Sequence, residues 1–319
     1  MTAAAVPVTV EALPRAGRLV AINESVIGGF LVLLMLFACV ATLPWTLSAS
    51  SSLYYDAQRS DRVRHAPTAE VAGWFGYDTL GRSTLGRCLL GGTISLSIGL
   101  AAAAVSVLLG TTVGLIAGYS GGWVDALLMR VVDILYGLPF ILLVILFKIA
   151  LEPGLTDLFE KLQAGRLFSS VQAANLVVMF LSIGLVGWLT MARVVRGQIL
   201  SLREMPFIEA TRAMGLPHWR IFIRHILPNL VGPITVYATL TVPTAVLQES
   251  FLSFLGVGVR LPLPTWGSLA SEGVQSLLPV KFYWWLLLFP CGLLMAALLS
   301  LNFLGDGLRD RLDPKRRSR

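Results

Sequence analysis

Six apolar runs, separated by polar connections, constrain this chain more than any other feature. They lie near 26–45, 89–118, 126–151, 174–195, 229–255 and 283–304. Each is long enough to cross a bilayer core of roughly 30 Å, which takes about 20 apolar residues as a helix. Lipid offers no hydrogen-bond partner to a peptide group, so a spanning segment must satisfy its own backbone. The expected class is therefore an all-α membrane protein with six transmembrane helices. Composition agrees, with 55% hydrophobic and 13% charged residues, about half the charged share of an ordinary soluble domain. The first run follows a polar leader, 1–25, and has no small-residue cleavage pattern behind it, so it reads as a retained helix.

The net charge of +7 does not point to nucleic acid, because its distribution follows the membrane. Arg193, Arg196, Arg203, Arg212, Arg220 and Arg224 lie in or beside the connection between the fourth and fifth runs. Arg309, Arg311, Lys315, Arg316, Arg317 and Arg319 crowd the tail, 305–319, and Arg15 and Arg18 precede the first run. Six crossings put these regions on one side, which the positive-inside rule makes cytoplasmic, together with both termini. The expectation is a multi-pass protein of the cell inner membrane. One loop dissents: 46–88, expected outside, carries Arg59, Arg62, Arg64, Arg82 and Arg87.

Several connections carry their own patterns. The end of the first external loop, from Gly76, reads as a short interfacial helix leading into the second span. That span has a ladder of small residues, Ala102, Ser106, Gly110, Gly114 and Gly118, on which another helix backbone can lie closely. The partner is either a helix of this chain or one from a second subunit. Arg130 and Asp133, three apart, are spaced for a local ion pair. In the external connection 152–173, Leu155, Leu158, Phe159 and Leu162 match an amphipathic helix, whose default place is the headgroup region. Past the fifth span, 249–282 is apolar yet interrupted by Gly256, Gly258, Pro262 and Pro264. Such backbone is tolerated at membrane depth only where protein or a water-filled cavity covers it. Glu249 heads this segment and is either a structural carboxylate or a gate or pore residue, with Gly256 and Gly258 behind it.

The connection 196–228 holds the densest signal. Pro206 and Pro217 each suit the first position of a short helix, and Gly215 between them supplies a left-handed stop. In the second helix Trp219, Phe222, Ile223 and Ile226 are expected on one face, with Arg220 and Arg224 on another. A helix-turn-helix with a basic face at a membrane surface is a docking element. Catalytic chemistry is not legible: no phosphate-cradling G-x-x-x-x-G-K-[ST] occurs, and no HExxH, GxSxG or Cys/His metal pattern. Cys39, Cys88 and Cys291 read as small buried apolar residues, with neither disulfide nor metal spacing. An ion-coupled secondary transporter, the rival class, would place acids or histidines near the midplane of matching broken helices; most charges here are interfacial.

The same loop resembles the cytoplasmic signature of binding-protein-dependent ABC importer permeases. Glu209, Ala210, Gly215, Ile226, Leu227 and Pro228 fit it, and Thr211 stands where alanine is usual. Gly76, Asp78, Leu80, Gly81 and Arg82 resemble a block of the dipeptide/oligopeptide/nickel branch, with Tyr77 and Ser83 departing from it. Ser253–Gly258, Pro264–Gly267 and Asn302–Pro314 resemble later blocks of its second permease type. The resemblance runs from about residue 26 to 315 and implies the type I ABC importer permease fold over 26–304. It further implies a heterodimeric pore with a second permease, two ABC ATPase subunits and an external solute-binding protein. ATP and Mg would be used on the ATPases, and this chain would bind no cofactor and no metal. Glu209, Ala210, Thr211, Gly215, Arg220, Ile226, Leu227 and Pro228 would then couple to an ATPase. Peptides are the favoured substrate, against nickel chelates, sugars or an antibiotic peptide, and the external loops near 50–70 and 155–173 are longer than the family's usual.

Overall fold

A computed structural model describes residues 16–162, 169–277 and 281–312 of the chain. It is built of helices: α1 (Ala16–Ala41), α2 (Leu43–Leu47), α3 (Thr84–Ser120), α4 (Gly122–Tyr136), α5 (Phe140–Lys161), α6 (Ser170–Arg203), α7 (Pro206–Ala213), α8 (His218–Ile221), α9 (Leu227–Phe254), α10 (Trp266–Gln275) and α11 (Trp285–Leu312). Among the described residues there is no strand, only the isolated bridges Tyr77–Ser83 and Leu277–Phe282. Five stretches are long and apolar enough to cross a membrane: Glu24–Leu47, Thr84–Ser120, Ser170–Arg203, Trp219–Phe254 and Trp285–Arg311.

The sixth expected span, 126–151, is not one straight helix. α4 and α5 meet at 100° across Gly137, Leu138 and Pro139. Proline disfavours helical backbone at the residue before it, so the chain must turn at Leu138. The pair provides a sixth span only if taken together. The amphipathic stretch expected as a separate external helix is instead the end of α5, which continues through Pro153 to Lys161. Residues 163–168 lie outside the described part. At the ends, part of the leader is helical, since α1 begins at Ala16, and α11 runs into the tail as far as Leu312. The rest of the tail, with Lys315, Arg316, Arg317 and Arg319, lies outside the described residues.

The small-residue ladder is answered within the chain. α3 lies along α6, and a side chain added at Gly110 would meet Met191 and the Trp188 carbonyl. At Gly114 it would meet Ala192 O at 2.7 Å, and at Gly118 Ile199. Gly184 and Gly187 of α6 return the fit against Val105 and Ser106. Close backbone approach multiplies weak dispersion contacts, which drive helix association where lipid removes the hydrophobic advantage. α1 packs on α11 in the same manner, with Gly28 against the Ser300 carbonyl and Phe303.

The ends of this scaffold are tied by arginine. Arg196 donates from Nε and Nη2 to both carboxylate oxygens of Asp125, at 2.5 and 2.7 Å. Arg193 pairs with Asp133 at 2.7 Å, so the expected Arg130–Asp133 pair does not form. Both acids belong to α4 and both arginines to α6, so helix packing outcompetes the local spacing. Arg203 donates to the Gly118 and Tyr119 carbonyls at 2.9 and 3.3 Å, partners for carbonyls that the end of α3 leaves unbonded.

Candidate functional site

α7 forms because Pro206 begins it without wasting an N–H and Gly215 ends it at φ +74°, where any Cβ is strained. Its inner side is Ile208, fully buried, and Thr211, which donates to the Ile208 carbonyl at 2.7 Å. Ile208 packs in a cluster with Met191, Val195 and Ile199 of α6 and with Ile221, Ile226 and Leu230. The helix is therefore keyed to two spans at once. Its outer side leaves Glu209, Ala210 and Arg212 exposed, with Phe207 and Met214 beside them.

This geometry divides the expected docking residues. Glu209, Ala210, Gly215, Arg220 and Pro228 are exposed and able to meet another chain; Leu227 is half-buried. Thr211 and Ile226 are buried and act by packing α7 and α9, so threonine in place of alanine does not alter the outer face. The second helix of the expected helix-turn-helix is also corrected. α8 continues through a π-turn, Phe222–Ile226, into α9 without a break. Pro228 has no N–H to bond the Arg224 carbonyl, and such a gap is relieved by a wider turn. The Leu227 N–H bonds the Phe222 carbonyl, and Asn229 Nδ2 donates to the His225 carbonyl at 2.6 Å. The extra residue shifts the helical phase. Ile226 faces inward together with Ile221, whereas Trp219 and Ile223, expected on the face of Ile226, are exposed at 61% and 55%.

At the other end of the bundle, the block expected as an interfacial helix is a turn with Gly76 and Gly81 at φ +72° and +74°. It is built around Asp78. Asp78 Oδ1 accepts the N–H groups of Leu80 and Arg82, both at 2.8 Å. Its Oδ2 accepts Arg82 Nε and Arg87 Nη1, both at 2.7 Å. Arg87, fully buried, continues to Glu272 of α10 at 2.5 and 2.8 Å, and Arg82 reaches Asp56 at 3.2 Å. Arg62 pairs with Glu70 and holds its carboxyl below the usual range, chiefly by hydrogen bonding. Of the five arginines that opposed the positive-inside count, Arg62, Arg82 and Arg87 are thus paired with carboxylates. The Arg87–Asp78–Glu272 cluster is the arrangement that sequence reasoning missed. Its signal was present: an arginine at the mouth of an apolar helix needs a carboxylate.

Glu249 is fully buried in α9. Ser253 donates to its Oε1 at 2.7 Å and Ser250 to Oε2 at 3.3 Å, and Ser95 of α3 and Thr265 complete its surroundings. Its carboxylate is thus enclosed by hydroxyl groups, and it lines none of the four described cavities. The chain behind it is pinned from three sides. Lys148 donates to the Val257 and Gly258 carbonyls at 2.6 and 2.8 Å, Asn175 accepts the Arg260 N–H at 2.9 Å, and Arg260 pairs with Glu152 at 2.8 Å. Gly258 lies against Ser253, whereas Gly256, at φ +80°, turns in open space. Thr265 caps α10 reciprocally with Ser268, and Trp266, fully buried, donates from Nε1 to the Cys88 carbonyl at 3.0 Å. Cys39 and Cys88 are buried and all three cysteines are free.

Residues 110–318 match the family described as binding-protein-dependent transport system inner membrane component. An oligopeptide transport system permease protein, OppC of Escherichia coli (strain K12), is 44% identical over 92% of this chain and 88% of its own. The dipeptide transport system permease protein DppC of Bacillus subtilis (strain 168) is 37% identical, over 92% and 83%. The chain belongs to this family of importer permeases and is an integral inner-membrane component. The solved MetNI methionine ABC transporter, in an inward-facing conformation, aligns with a TM-score of 0.52 at 20% identity. It covers 72% of this chain and 97% of that one, and the likeness supports the type I importer permease fold.

Proposed function

We propose that this chain is one half of a peptide-importing pore, driven by ATPase subunits that dock on α7. The observation that carries the coupling role is the two-sided character of that helix. Ile208 locks it to α6 and α9, while Glu209, Ala210 and Arg212 are presented outward. Force applied to the outer face is transmitted to two spans as a rigid-body shift, because the inner face is packed. The relatives that are named as oligopeptide and dipeptide permeases support peptides as the substrate class.

In this reading a second permease completes the pore, two ABC ATPases bind below it, and an external solute-binding protein delivers substrate. This chain holds no cofactor; ATP and Mg are used by the ATPases. Both termini and α7 are cytoplasmic, and Ser51 and the Asp78 cluster are external. The fixed, hydrogen-bonded segment 249–267 forms part of the external closure, with Glu249 holding it in place.

The test is ATPase co-purification with the full transporter. Glu209→Lys should lower recovery of the ATPase at least tenfold, and Glu209→Gln less. Thr211→Ala, on the buried side, should leave recovery unchanged. Equal losses for Glu209→Lys and Thr211→Ala would refute docking on this face. Orientation is read by single cysteines in a background without Cys39, Cys88 and Cys291. An impermeant reagent in intact cells should label position 51 and not position 201, and the reverse would overturn the topology.

A further inference from the structure

α9 carries polar residues where an apolar span should not. Tyr237, Thr241, Thr244 and Gln248 recur at i, i+4, i+7 and i+11, which is one face of a helix. They cover roughly 16 Å of its length at 1.5 Å per residue, about half a bilayer core. All four line a cavity of about 190 Å³ between α6 and α9, with Thr190 opposite. A second cavity of about 290 Å³, at the α4–α5 elbow, shares Gly187, Thr190 and Gln248 with the first. Gln248 and Thr190 thus stand where the two meet.

The hydrogen-bonding state of this face is specific. Thr241 donates to the Tyr237 carbonyl and Thr244 to the Thr241 carbonyl, both at 2.7 Å. Their protons are committed to the helix, so toward the cavity they offer lone pairs only. The Gln248 amide makes no hydrogen bond among the described residues and retains both donors and acceptor. No charged residue lines either cavity. A neutral lining with acceptors and a free amide matches the main chain of a peptide, whose N–H and C=O groups are neutral. It makes no distinction between acidic and basic side chains.

We infer that the Tyr237–Thr241–Thr244–Gln248 face is the substrate-contacting wall of the translocation path, and that Gln248 hydrogen-bonds the peptide main chain during passage. The inference rests on the reading of this chain as half of a peptide pore, and its test separates the two. The complete transporter, with its ATPases and binding protein, is reconstituted in vesicles. Alanine tripeptides with neutral, lysine or glutamate central residues are supplied at saturating binding protein. Gln248→Leu should lower the maximal rate about tenfold for all three. Gln248→Glu should favour the lysine peptide over the glutamate peptide at least fivefold relative to the wild type. Wild-type ratios in the Gln248→Glu variant would overturn the inference.

A second measurement needs no substrate class. During ATP turnover, cysteines at 241 and 248 should react with a small hydrophilic thiol reagent at least tenfold faster than one at Leu247, whose side chain is 53% exposed on the neighbouring face. Equal reactivity would overturn the path assignment. If the wild type moves none of the three peptides while 241 and 248 still react selectively, the peptide reading fails and the path assignment stands.

Discussion

The charge cluster that ties the external loop to α10 makes a quantitative prediction. Asp78 accepts four hydrogen bonds: two from backbone N–H groups and two from guanidinium groups. Asp78→Asn retains an oxygen for Leu80 and Arg82 N–H and removes the negative charge. Unpairing a buried charge costs about 3–5 kcal/mol. The lower end applies here, because Glu272 still meets Arg87 and Asp56 still meets Arg82. Asp78→Ala also orphans two N–H groups, at about 1 kcal/mol each, for a total near 5 kcal/mol.

The cost falls on local opening of the loop, because the spans are held by other contacts. Amide exchange reads it directly at Arg59, Arg64 and Tyr77, whose N–H groups bond the Leu80, Asp78 and His65 carbonyls within this fold. At about 1.4 kcal/mol per factor of ten, Asp78→Asn should speed their exchange roughly 100-fold and Asp78→Ala roughly 3,000-fold. Exchange at amides of α6 should not change. The effect should persist in high salt, because the pair is buried and poorly screened. Exchange within fivefold of wild type in Asp78→Asn would falsify the claim that charge pairing holds the loop. Identical rates for Asn and Ala would show that the Oδ1 bonds contribute nothing.

Other expectations follow from single contacts. Gly215 has open space around a prospective Cβ, so only its backbone angle resists substitution. Gly215→Asn, which tolerates the left-handed region, should keep ATPase association, and Gly215→Val should lose it; equal retention in co-purification would exclude strain as the reason. Glu249→Gln should assemble, whereas Glu249→Leu, which strands the Ser250 and Ser253 hydroxyls, should lower the yield of assembled complex severalfold on size-exclusion chromatography. Wild-type assembly of the leucine variant would remove Glu249 from the structural account. Gly114→Leu forces a side chain into the Ala192 carbonyl and Val195, so α3 and α6 must separate, at about 1–3 kcal/mol or more. The thermal midpoint of the purified transporter should fall by several degrees, and an unchanged midpoint would contradict the close α3–α6 packing.

The residues alone determined the class, because apolar runs of bilayer length leave the backbone no alternative to helix. They also located α7 and its stop, since proline and glycine act through their own backbone chemistry wherever they stand. The ladder at Gly110, Gly114 and Gly118 announced a close helix contact. Only the packed structure decided that its partner is α6 of the same chain, because a smooth stripe accepts any helix. Local spacing likewise proposed Arg130 with Asp133, and tertiary contact gave Asp133 to Arg193. The phase of Trp219 and Ile223 could not be read from a 3.6-residue period, because the π-turn before Pro228 inserts a residue. Periodicity assumes a regular helix, and long-range pairing such as Arg87 with Glu272, 185 residues apart, leaves no local trace. Which carboxylate meets which arginine is a property of how the helices pack, and that is settled only in three dimensions.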